Sequence, residues 1–88
     1  MGVKERRSIS LVITRAKGNY PEIEEIDEVE EYVVGLRYFY VRSRTPPYTM
    51  SYPRGSITAV RQKRSWREDE GWRPVPLHRA IDKVRRAE

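Results

Sequence analysis

Eighty-eight residues with 18 bases against 13 acids, a net charge of +5, leave room for one domain with one modest core and thin stability. The chain has no cysteine and a single histidine, His78, which removes disulfides, thiolate metal sites, two-histidine metal motifs and cysteine nucleophiles. No apolar run approaches the roughly 20 residues of a membrane-spanning helix or suits a secretory signal, so a cytoplasmic protein without a membrane partner is expected.

In chain order, residues 1–7 are polar and charged and read as a flexible basic arm, leaving 8–88 as a single small β-rich domain. Ser8 to Arg15 alternates, with Ile9, Leu11 and Ile13 on one face and Ser8, Ser10 and Thr14 on the other. That is the pattern of a half-buried strand. Gly18 and Asn19 then suit a reversal, because both tolerate left-handed backbone.

Two readings stand for residues 22–31. Ile23, Ile26, Val29 and Val33 fall at helical spacing, and Pro21 suits a first helical turn. Glu24 with Glu28 and Asp27 with Glu31 are like-charge pairs four residues apart, which oppose a helix. A short helix or irregular turn over 22–27, followed by strand, reconciles the two.

Tyr32 to Ser43 is apolar on both parities, as a central strand would be, with Gly35 marking either a bulge or a tight hairpin between two shorter strands. Thr45-Pro46-Pro47 breaks the sheet, since proline cannot donate to a ladder. Tyr48, Met50 and Tyr52 alternate in a further strand, Pro53 to Ser56 is a turn, and Ile57 to Lys63 is the next strand. A polar loop separates Trp66 from Trp72. Leu77, Ala80, Ile81 and Val84 return to helical spacing and predict a short amphipathic helix over 77–87.

Valine and isoleucine number 15 against three leucines, and β-branched side chains pack well on a pleated surface. The expected fold is therefore α+β and mainly β. It is an antiparallel meander of four to five strands, forming a small curved sheet or open barrel, closed by the carboxy-terminal helix.

Charge is segregated along the chain. Seven acids and no base lie between Glu22 and Glu31, and eight bases and no acid between Arg37 and Arg67. Within the basic stretch, Arg42, Arg44, Arg54, Arg61, Lys63 and Arg64 are the candidates to neutralise phosphates. Tyr48, Tyr52 and Trp66 are the candidates to stack on bases. Tyr38 and Tyr40 belong to the same stretch, but their parity does not say whether they face core or solvent. The leading expectation is a non-catalytic domain contacting single-stranded DNA or RNA through a basic, tyrosine-bearing sheet.

The alternative is a protein-interaction or homo-oligomeric assembly module. In it Glu24, Glu25, Asp27, Glu28 and Glu31 meet a basic face of a second copy or of another protein. Compact, arginine-rich, cysteine-free chains of this length recur among phage and mobile-element accessory proteins, which is an argument from size. Gly-x-Ser-x-Gly, phosphate-cradling glycine loops and calcium-loop patterns are missing from the sequence, so neither catalysis nor a cofactor or metal is expected.

Overall fold

The computed structural model describes residues 7–77 and 84–87. It is mainly β, with seven strands: β1 (Ile9–Lys17), β2 (Tyr20–Val34), β3 (Tyr38–Ser43), β4 (Thr49–Pro53), β5 (Ile57–Arg64), β6 (Arg73–Pro74) and β7 (Val84–Arg86). They form one antiparallel sheet in the order β4-β3-β2-β1-β5-β6, with β7 paired to β2 off that path. The sheet thus exceeds the expected four to five strands. Among the described residues the only helical turn is a 3-10 turn at Arg54–Ser56, between β4 and β5, and no helix is long and apolar enough to cross a membrane.

β1 follows its alternation, burying Ile9, Leu11 and Ile13 completely or nearly so. Gly18 sits at φ 61 in the turn, where a Cβ would crowd the backbone, and Lys17 pairs with Tyr20 immediately beyond it.

The helix or irregular turn expected over 22–27 is instead the first half of a 15-residue strand. Its helical-looking spacing has a different origin. Two steps along β1 (Ile9 to Leu11) oppose three along β2 (Val29 to Ile26), and one step of β3 opposes two of β2 between Val29 and Glu31. Each mismatch inserts one extra residue, so Ile26, Val29 and Tyr32 all point inward although they are three apart. Glu28, at φ 54, sits in the first of these bulges. The like charges are spread by the pleat, and Arg15 of β1 reaches Glu22 at 3.1 Å and Glu24 at 3.7 Å across the ladder.

Gly35 marks a hairpin rather than a bulge within one strand. Its amide donates to the Tyr38 carbonyl at 3.0 Å, and Val34 pairs with Phe39. The turn inverts the parity: Tyr32 and Val34 are buried before it, Phe39, Val41 and Ser43 after it. The two apolar parities of 32–43 are therefore one inner face read through a turn, and Tyr38, Tyr40 and Arg42 lie on the outer face.

The carboxy-terminal helix expected over 77–87 is not seen. Residues 78–83 lie outside the described residues, and Val84–Arg86 is a strand against Glu31–Val33 of β2. An eleven-residue helix is marginal alone, whereas this side of β2 offers ladder partners beyond the end of β1. The Ala87 amide donates to Glu30 O at 2.8 Å, and Arg86 lies 3.5 Å from Glu31.

Leu11, Ile13, Val29, Phe39 and Val60 fill the centre, with the Tyr32 and Phe39 rings stacked at 5.6 Å. The sheet curls around them. Tyr32 on β2 donates its hydroxyl to Gln62 on β5, reaching past β1, and the Arg15 guanidinium of β1 lies 5.0 Å from the Tyr52 ring of β4.

Candidate nucleic-acid interface

One rung of the sheet organises the charged surface. Ser43 opposes Val29, Val29 opposes Ile9, and Ile9 opposes Arg64, so the last residues of β3 and β5 lie at the same end. Arg44 and Tyr48, just beyond β3, therefore share that end with Lys63, Arg64 and Trp66. Side chains tie the two flanks together. Arg44 Nη2 donates to the Arg7 carbonyl at 2.7 Å, and the Arg7 guanidinium lies 5.6 Å from the Trp66 ring. Ser65 N donates to Ser8 O, and Ser8 N to Ser65 Oγ, both at 2.9 Å.

On the β5 side of this end, Ser10, Lys63, Arg64, Ser65, Arg67 and Glu68 line an open groove of about 380 Å³. Lys63 and Arg67 are exposed and join no ion pair with the described residues, and Arg61, two residues before Lys63, is likewise exposed and unpaired there. Arg64 is held by Glu70 at 3.5 Å, and Glu70 is shared with Arg73 at 3.1 Å. Ser10 spends its hydroxyl proton on Asp27 at 3.0 Å. Two cations without a partner among the described residues, beside Arg64 and the Ser65 hydroxyl, outnumber the one carboxylate of the lining, Glu68, and suit a phosphate oxygen.

On the β3 side the arginines are already engaged. Arg42 reaches Glu30 at 3.4 Å and Glu31 at 3.2 Å, and Arg44 reaches Glu30 at 3.2 Å. Arg42 is exposed, whereas Arg44 and Glu31 are only half-exposed, so Arg42 is the arginine of this flank that most readily exchanges a carboxylate for a phosphate. Tyr48 stands exposed in the β3–β4 turn at φ 70. Its amide donates to Thr45 O at 2.8 Å, and its carbonyl accepts from Ser43 N at 2.7 Å.

Two of the residues expected to touch nucleic acid lie elsewhere. Tyr52 is only 5% exposed, tucked under Arg15, and offers no face to a base. Its phenol is pushed well above the usual range by burial and by the Glu24 carboxylate. Arg54 donates to the Leu77 carbonyl, and its Nε is buried without a partner. Both sit at the opposite end, because Tyr52 pairs with Phe39 and Arg54 N bonds to Arg37 O.

The acidic residues divide in the same way. Glu24 faces Arg15, Asp27 accepts from Ser10, and Glu31 sits between Arg42 and Arg86. Glu25 and Glu28 are exposed and join no ion pair with the described residues.

Sequence reasoning passed over Ser65 altogether; it counted Arg67 in the basic stretch, Arg7 in the arm and Glu30 in the acidic run, without bringing the three to one end. Arg7 and Glu30 acquire their roles only through the register. Among the described residues no cluster of three or more His, Asp or Glu side chains is arranged to hold a metal ion. No protein-family model matches the chain, and neither a curated protein nor a solved structure is similar to it at a significant level.

Proposed function

We propose that this chain is a non-catalytic binding domain that grips the phosphate backbone of single-stranded DNA or RNA at the end of the sheet bearing Arg44, Tyr48, Lys63, Arg64, Trp66 and Arg67. The observation that carries the reading is the groove in which Lys63 and Arg67 stand exposed, with no ion-pair partner among the described residues, beside Arg64, the Ser65 hydroxyl and a single carboxylate, Glu68. Arg61 extends the cationic column along β5. Arg42 and Arg44 form the opposite flank, releasing Glu30 and Glu31 as phosphates arrive. Tyr48 supplies an exposed aromatic face on the β3 flank, while Trp66, half-buried against the core with the Arg7 guanidinium over its ring, anchors the β5 flank. Fluorescence anisotropy against labelled single-stranded DNA, single-stranded RNA and duplex DNA tests the proposal. Micromolar or tighter binding to a single strand, weakening with salt, is expected. No binding at low salt discards it.

A second reading has its own observation. The half of β2 from Tyr20 to Asp27 pairs with β1 on one side and with no described strand on the other, and Tyr20, Ile23 and Glu25 are exposed along it. Such an edge is a template for another strand. An acidic edge joining a basic strand makes an assembly whose mass falls as salt rises, with no nucleic acid present. Sedimentation across a salt series separates the two readings.

A further inference from the structure

We infer that the outer face of β3 is a stacking track for nucleobases, so that a strand held at the cationic end runs along β3 over Tyr40 and then Tyr38. The inference rests on the nucleic-acid reading above and extends it to residues outside the groove. Alternate residues of a strand face the same way about 6.6–6.8 Å apart. Tyr38, Tyr40 and Arg42 occupy three successive outward positions, and the two tyrosine rings lie 5.9 Å apart with planes 40° from each other. Tyr38 and Tyr40 are 44% and 49% exposed as residues, while Phe39 and Val41 fill the core from the other side of the same strand. Their cross-strand neighbours are small: Tyr40 stands between Val33 and Ser51, and Tyr38 is opposite Pro53.

The track is continuous with the cationic end. Arg42 closes the row one step before Ser43, the residue that begins the rung leading to Arg64. At the other end of β3, Arg37 is exposed and joins no ion pair with the described residues, so a cation brackets the tyrosines on both sides. Phenol rings between cations suit bases, whose faces stack regardless of sequence, with phosphates on either side. A duplex hides its base faces inside the stack, so the track commits the ligand to a single strand.

The test compares the wild type with a Tyr38→Ala, Tyr40→Ala double variant and the corresponding double phenylalanine variant, each checked for folding by thermal unfolding. The probes are a 12-nucleotide oligothymidylate and an abasic strand of equal length. The alanine variant should bind the base-bearing strand about five- to hundredfold more weakly for each ring lost. Its salt dependence should be unchanged, the phenylalanine variant should recover most of the affinity, and the abasic strand should bind all three proteins alike. Equal binding of oligothymidylate by wild type and alanine variant overturns the track while leaving the groove intact. So does an equal loss toward the abasic strand. A wild type that binds neither probe at low salt overturns the nucleic-acid reading, and the track with it.

Discussion

Arg54 and Arg67 carry the same guanidinium at opposite ends of the sheet and meet opposite fates. Arg54 is drawn in to cap the Leu77 carbonyl, its Nε buried without a partner, whereas Arg67 stands exposed at the rim of the groove. Tyr52 and Tyr48 repeat the contrast: one ring is packed under Arg15, the other projects from a turn. A basic, aromatic sequence therefore overstates the surface it offers, because the register decides which charges and rings are spent on the fold. Availability, rather than composition, separates the proposed binding end from the structural end.

The largest expected effect separates the two tyrosines. Tyr52→Ala removes a buried ring from the inner face and should destabilise the domain by about 3 kcal/mol, a large share of what a small domain has. Its affinity for a single strand should hold wherever the protein stays folded. Tyr48→Ala should do the reverse. Denaturant titration paired with anisotropy reads both, and a Tyr52 variant that stays stable but loses binding would erase the contrast.

Alkaline pH sharpens it. Burial raises the phenols of Tyr32 and Tyr52 above the unfolded value near 10, so above that pH the unfolded chain loses protons that the folded chain keeps. Stability from these groups is full below pH 10 and falls as pH rises through and beyond it. Thermal unfolding between pH 8 and 11 should show the decline, and Tyr52→Phe should flatten it.

The smallest effect concerns the strained turn. Tyr48 holds φ 70, where an L side chain is crowded by its own backbone. Tyr48→Gly should stabilise the fold by roughly 1 kcal/mol while weakening strand binding. A loss of stability would mean that the Tyr48 ring packs to some purpose in the fold.

Much of the strand content was legible, since β1 and β4 follow simple alternation and β5 departs from it only at a bulge that sets the buried Ile57 and Val60 three apart. Two devices disguised the rest. The bulges around Glu28 and Glu30 insert single residues, so Ile26 and Val29 face inward three apart and imitate helical spacing, whereas Ile23 and Val33, which complete that spacing in the sequence, are exposed and half-buried. The hairpin at Gly35 inverts parity, making one inner face look like two. The helix expected at the carboxy terminus failed for a tertiary reason: Val84–Arg86 found ladder partners on β2 that local periodicity cannot reveal. For the candidate site, one basic run contains Arg44, Tyr48, Lys63, Arg64 and Trp66, and nothing in the run itself says that they share an end of the sheet. Their shared end comes from the Ser43–Val29–Ile9–Arg64 rung, and the burial of Tyr52 comes from the curl of the sheet.

The most direct test is the salt dependence of single-strand binding for the wild type and for a Lys63→Gln, Arg67→Gln variant. Log affinity should fall linearly with log salt in the wild type. Two lost phosphate contacts should make the variant's slope shallower by about 1.4, at roughly 0.7 per contact on a single strand. An unchanged slope and affinity in the variant would contradict the assignment of the groove, and no binding by the wild type at low salt would contradict the function itself.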